Sequence, residues 1–268
     1  MLILLPPSEG KAADGDGAPV DVGALALPEV AEAREAVMAE LVGLCRGPRE
    51  RAREVLGLSA AQVDEALARN SALATASTLR AADLYTGVLY DRLRLPGLLA
   101  ADPATARRTA DSVLVFSGLW GVVGPLDRVP PYRLSMGVRL PGLGALGAFW
   151  RARLSDLLVK RAEGRLVLDC RSSTYAAAWR PVGETAERTA AVRVLRETVS
   201  EGRVRRGVVS HMAKATRGAV AHGLLAAGAV PATPEEAADA VAALGYRTEL
   251  VRPDRPGRPW TLDVVERD

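Results

Sequence analysis

Four short apolar runs, each closing on a cluster of polar residues, constrain this chain more than anything else in it. They are Met1-Leu-Ile-Leu-Leu5 ahead of Pro6-Pro-Ser-Glu-Gly-Lys11, Val113-Leu-Val-Phe116 ahead of Ser117 and Trp120, Leu166-Val-Leu168 ahead of Asp169-Cys-Arg-Ser-Ser-Thr-Tyr175, and Val208-Val209 ahead of Ser210-His-Met-Ala-Lys214. Short runs rich in branched residues and lacking a helical period read as buried strands. Between them the apolar residues recur at helical spacing. A mixed α/β (α+β) fold follows: one domain over residues 1–268, with a central, mostly buried sheet flanked by helices.

The first helix is expected over residues 28–46, with Val30, Ala33, Val37, Leu41 and Leu44 on its buried face. Shorter helices follow over 49–56 and 60–68, and residues 85–90 read as a strand or tight turn. Helices are also expected over 105–111, 145–162, 215–227 and 234–244. In the second of these Leu146, Phe149, Trp150, Leu154, Leu157 and Leu158 point inward. Residues 207–210 read as a buried strand, and 248–251 with 261–265 as a closing strand pair.

After Phe116 the chain places four glycines and three prolines in residues 117–137, which reads as a long stiff loop without regular structure. Two roles fit it. It is a lasso that packs Trp120 and Tyr132 into the core, or a site wall on which Arg133 presents a planar fork to an anion beside the Tyr132 hydroxyl. In the first case Arg133 needs a partner, for which Asp127 is the candidate.

In open sheets, ligands bind where loops converge beyond the carboxyl ends of strands. If the four runs are neighbours, Lys11, Arg133, Arg171, Lys214 and Arg217 face one pocket. Ser8, Ser117, Ser172, Ser173 and Tyr175 then add hydroxyls, with Trp120, Tyr132 and His211 beside them. Such a site suits phosphate or carboxylate. Arg171-Ser-Ser-Thr174 reads either as a phosphate-holding turn or as a helix cap. Ser8-Glu-Gly-Lys11 lacks the spacing of a P-loop. Ser210 and His211, read as strand neighbours, point to opposite faces and do not make a nucleophile–base pair. If the pocket is catalytic, the candidates are Lys11, Glu9, Asp127 and Asp169.

A second candidate surface is the corner Val55-Leu-Gly-Leu58 between two short helices, a helix-hairpin-helix-like element. Gly57 makes the turn, Ser59 caps the next helix, and Arg49, Arg51 and Arg53 precede it. Backbone N–H groups at such a corner hold a DNA phosphate without reading sequence. The alternative is an ordinary helical corner with a solvated charged face.

Ser117-Gly-Leu-Trp-Gly-Val-Val-Gly-Pro-Leu-Asp127, continued through Val129-Pro-Pro-Tyr-Arg-Leu-Ser-Met-Gly137, resembles the signature of the YaaA family of bacterial peroxide-stress proteins. So do residues 1–11, Tyr85-Thr-Gly-Val-Leu-Tyr90 and His211-Met-Ala-Lys-Ala-Thr-Arg-Gly218, in the same order. The resemblance implies a single mixed α/β domain. It also implies DNA binding through a helix-hairpin-helix-like element, and a part in limiting iron-driven oxidative damage.

Composition narrows the partners. Lys+Arg 35 against Asp+Glu 32 leaves a net charge of +3, too little for a protein that coats nucleic acid by bulk charge, so polyanion binding requires local clustering. Two histidines and two widely separated cysteines, Cys45 and Cys170, suggest neither a metal site nor a disulfide framework. No cofactor is expected. No apolar stretch approaches the ~20 residues of a membrane span, and the first residues read as a strand and not a signal peptide. A cytoplasmic monomer is expected, with duplex DNA or a phosphate-bearing small molecule as partner. The alternative is an enzyme acting on a small anionic metabolite, such as a purine nucleotide, in the same pocket.

Overall fold

The computed structural model describes residues 1–13, 15–200, 203–207 and 210–267. Its main sheet contains, in chain order, β1 (Leu2–Leu5), β2 (Val113–Ser117), β3 (Gly121–Val123), β4 (Val167–Asp169), β5 (Thr189–Ser200), β6 (Arg203–Gly207), β7 (Arg247–Val251) and β8 (Trp260–Arg267). Across the sheet the order is β7-β8-β5-β4-β1-β2-β3, with β6 also paired to β5. The five inner strands β8, β5, β4, β1 and β2 are parallel, and antiparallel partners flank them. Leu2, Ile3, Leu4 and Leu5 are wholly buried, as are Val113, Val115 and Phe116, which suits parallel strands covered on both faces.

The helices that matter below are α1 (Ala31–Arg46), α2 (Arg49–Leu56), α3 (Val63–Ser71), α4 (Val88–Leu93), α5 (Pro103–Ser112), α6 (Leu146–Ala162), α7 (Ser210–Ala226) and α8 (Pro234–Ala243). The expected fold class holds: a mostly parallel central sheet flanked by helices. No helix is long and apolar enough to cross a membrane.

Several local expectations need correction. The reading of 207–210 as a buried strand is corrected at its Ser210 end. Gly207 ends β6, an antiparallel partner of β5, while Ser210 opens α7. Val208 and Val209 lie outside the described residues. Ser210 and His211 therefore start a helix and do not end a strand. The loop at 117–137 is not wholly irregular: Gly121–Val123 folds back on β2, and Arg128–Val129 pairs with Leu79–Arg80. The buried stripe of α1 is Arg34, Val37, Leu41 and Cys45, so an arginine occupies a place expected to be apolar. Residues 85–90 split between a bridge from Tyr85 to Lys11 and the start of α4. The helix expected at 60–68 forms as Val63–Ser71.

β1 is the point at which the sheet reverses direction. From β1 the chain reaches β2 on one side and later β4 on the other. Loops leaving the carboxyl ends of strands on either side of such a point diverge and leave a crevice between them.

Candidate functional site

That crevice is present. A cavity of about 480 Å³ opens beyond the carboxyl ends of β1 and β4. Residues 6–11 after β1, Ser172, Thr174 and Tyr175 after β4, and Arg133, Leu134 and Ser135 from the long loop form its walls. Residues 86–90 and the α7 side chains Lys214 and Arg217 complete it. A second cavity of about 350 Å³ adjoins it, sharing Glu9, Gly10, Lys11 and Arg133 and reaching Gln62, just ahead of α3, and Glu65 and Arg69 on that helix.

The loop after β1 is held against the start of α4. Thr86 N–H donates to Ser8 Oγ at 3.1 Å, the Tyr90 hydroxyl donates to Pro6 O at 2.7 Å, and Ala12 N–H donates to Leu84 O at 2.9 Å. Lys11 Nζ donates to Ser8 O at 2.9 Å and lies 4.4 Å from the centre of the Tyr132 ring and 5.6 Å from that of Tyr85. No ion pair forms at Lys11 among the described residues. Burial, reinforced by Arg133 and Arg69 and opposed by Glu9, pulls its ammonium down to about 7. Beneath it the Tyr85, Tyr132 and Ser117 hydroxyls form a chain, 3.0 Å and then 2.6 Å apart. Burial raises Tyr85 and Tyr132 far above the usual phenol range, so both remain protonated.

Arg133 is fixed at its backbone and looser at its tip. Asn70 of α3, wholly buried, accepts its N–H and donates to its carbonyl, each at 2.9 Å. The guanidinium reaches Glu9 only at 3.4 and 3.5 Å, and 29% of the side chain stays exposed. Asp127 is not its partner. That carboxylate accepts the N–H groups of Ala26 and Gly124 at 2.8 and 2.9 Å, and burial raises its pKa.

The cavity thus brings together Ser8, Glu9, Lys11, Arg133, Ser172, Tyr175, Lys214 and Arg217. Arg217 leans on β5, donating to Val192 O at 3.0 Å, while Lys214 is exposed. Tyr132 is a wall of the adjoining cavity. Other candidates lie elsewhere. Arg171, its side chain fully buried, forms a bidentate pair with Asp169 at 2.9 and 2.7 Å, donates to Trp179 O and stacks 4.2 Å over Phe116. Ser117 is buried and accepts the N–H groups of Leu119 and Trp120. Trp120 is also buried, edge-on to Tyr132. Ser173 opens a short helix and is exposed outside the cavity lining. The His211 side chain lies outside the described residues.

At the helical corner, Gly57 adopts φ +63° and ends α2, and Leu58 N–H donates back to Arg53 O at 3.0 Å. Ser59 does not cap the next helix, because α3 starts only at Val63 with Gln62 at its N-cap; the Ser59 N–H instead donates to Gln62 Oε1 at 3.3 Å. Arg49 is paired with Glu50 and Asp64, and Arg53 with Glu50. Arg51 is exposed.

Residue patterns missed Asn70, Arg69 and Thr86. Asn70 is a polar residue on an otherwise buried helix face, a signal of an internal hydrogen-bonding role, and Thr86 lies inside the Tyr85–Tyr90 motif.

An α/β domain with a cation-lined crevice at its sheet reversal is the class that fold and site define. The sequence pattern of peroxide stress protein YaaA matches residues 1–250. A UPF0246 protein of Streptomyces coelicolor is 55% identical over 99% of this chain and 98% of its own length. UPF0246 proteins of Corynebacterium efficiens and Corynebacterium glutamicum are 36% and 35% identical, each over 99% of this chain and 100% of theirs. The chain belongs to the YaaA peroxide stress protein family.

Proposed function

We infer that the crevice is a binding site for a phosphate-bearing ligand and that the protein acts through it, in the cytoplasm, in the peroxide-stress role of its family. One observation carries this reading: Arg133, Lys214 and Arg217, from two separate elements, face one cavity in which Glu9 is the only carboxylate among the described lining residues. Cations held on a rigid scaffold, with hydroxyls from Ser8, Ser172 and Tyr175 between them, match the oxygens of a phosphate. A volume of about 480 Å³ suits a mononucleotide. If chemistry follows binding, Glu9 is the carboxylate placed to take part, since Asp127 and Asp169 are engaged in internal hydrogen bonds.

Duplex DNA is the second reading. In its favour, the adjoining cavity extends the crevice to Arg69 on α3, directly after the helical corner. Against the corner as sole anchor, Arg49 and Arg53 already have acidic partners.

Titrating the protein by calorimetry with inorganic phosphate and a purine nucleoside monophosphate, and by fluorescence anisotropy with a duplex at several salt concentrations, separates the two. A crevice ligand requires that Arg133→Ala and Arg217→Ala each weaken nucleotide binding at least ~10-fold. A DNA role for the corner requires that Arg49→Ala, Arg51→Ala and Arg53→Ala together weaken duplex binding on all sequences alike and flatten its salt dependence. Unchanged nucleotide binding in both crevice variants overturns the first reading.

A further inference from the structure

The chain meets almost all its need for positive charge with arginine: 32 arginines stand beside only three lysines, Lys11, Lys160 and Lys214. Two of those three line the same cavity. Arginine is the better phosphate fork, whereas only lysine readily sheds its proton to become a nucleophile. Lys160 is exposed near the end of α6 and serves as an internal comparison.

Lys11 lies where the two cavities meet, contributing to both. Its amine rests against the Tyr132 and Tyr85 rings and donates to a single carbonyl, Ser8 O. Glu9, the nearest acid in the sequence, is turned to Arg133 at 3.5 Å. The charged groups lining the two cavities that meet at the amine are Glu9, Glu65, Arg69, Arg133, Lys214 and Arg217, with Glu65 paired to Arg69; the cations still outnumber the acids. Burial and the cationic neighbours Arg133 and Arg69 disfavour the ammonium form, and no ion pair among the described residues offsets them; the ring faces, which attract a cation, only partly oppose this.

We propose that Lys11 is an imine-forming amine and that the crevice accepts an aldehyde or ketone carrying a phosphate group. The phosphate sits on Arg133, Lys214 and Arg217, and the carbonyl carbon is directed at Lys11 Nζ. The nitrogen lone pair attacks that carbon and the C=O π pair moves to oxygen. A proton passes from nitrogen to oxygen to give the carbinolamine. A second proton, from solvent, lets the hydroxyl leave as water, and the nitrogen lone pair closes the C=N bond. The product is the protonated imine, which becomes the neutral imine on returning a proton to solvent. One carbonyl and one amine give one imine and one water, and no oxidant or reductant takes part. An amine whose pKa is pulled down to about 7 has its unprotonated form within reach at neutral pH.

The proposal deepens the phosphate reading, and its test separates the two. The full-length protein is treated at pH 7 with pyridoxal 5′-phosphate, or with pyridoxal lacking the phosphate, reduced with borohydride, and mapped by peptide mass spectrometry. Trapping at Lys11 at least about tenfold faster than at Lys160 is expected with both probes, faster still with the phosphorylated one, and slowed by inorganic phosphate. At pH 10 the preference for Lys11 over Lys160 shrinks. Lys11→Arg, confirmed folded by its melting curve, removes the fast label. Labelling that follows exposure alone, with Lys160 first in wild-type protein, overturns the proposal without needing any variant. Fast Lys11 labelling that is indifferent to phosphate on either probe or competitor keeps the amine and overturns the phosphate cleft. Phosphate binding seen by calorimetry with no preference for Lys11 does the reverse.

Discussion

Arg34 shows how a single charged residue organises the wall behind the site. It is fully buried, yet four of its five guanidinium N–H donors are answered by backbone carbonyls: Trp120 O, Val22 O, Val122 O and Ala26 O. The guanidinium therefore ties α1 to the turn after β2 and to the segment ahead of α1. Burial lowers its pKa to about 10, which leaves it charged at neutral pH. Arg34→Ala strands these buried carbonyls, and we expect a loss of at least about 3 kcal/mol in urea unfolding. Arg133 predicts the opposite behaviour. Its backbone is clamped by Asn70 while its guanidinium makes only long contacts to Glu9. Arg133→Ala should shift stability by no more than about 1 kcal/mol while weakening phosphate binding. A large drop in melting temperature with binding intact would show instead that Arg133 serves the fold.

Among elements, the packing of α7 on α4 sets one part of the crevice lining. A Cβ placed on Gly218 would lie 2.1 Å from Leu89 O, a contact with backbone that no rotamer change relieves. This close approach sets Lys214 and Arg217, on the turn before it, opposite residues 86–90. Gly218→Ala should therefore cost about 2 kcal/mol or more in thermal unfolding and weaken phosphate binding even though it removes no cavity-lining side chain. The sequence already showed the glycine and both cations, yet not the start of the helix that carries them. An apolar run as short as the one ahead of Ser210 gives no period from which to place the start of a helix. β5 escaped notice for a related reason. Ala190, Val192 and Val194 alternate with exposed or half-buried positions including Arg193, so no continuous apolar run marks it. Its length comes from long-range pairing with β8 and from the antiparallel strand β6 that follows it in the chain. Buried parallel strands such as β1 and β2 were legible because both their faces are covered and their sequences are apolar throughout. Arg171 reads as a ligand arginine, and Arg34 draws no reading at all, because a sequence window does not show the carbonyls and rings that enclose them.

For the molecule as a whole, the crevice couples folding to pH through Lys11. Its pKa in the folded state is lowered from 10.5 to about 7, with burial the largest cause and Arg133 and Arg69 adding to it. Between those two values the unfolded chain holds a proton on this amine that the folded protein has released. Stability therefore rises with pH across that window, since the unfolded state binds more protons there. Below about pH 7 the ammonium is present in both states and its unfavourable burial weighs fully on the fold. Lys11→Met removes the group with little change in side-chain length. The difference in unfolding free energy, wild type minus Lys11→Met, should increase from pH 7 to pH 10, and other titrating groups cancel to the extent that they are unaffected by the substitution. Inorganic phosphate bound beside the amine favours the ammonium and should move the start of that rise to higher pH. A flat difference across the window would mean that Lys11 keeps its proton in the folded protein, and the amine would then be one more cation of the crevice.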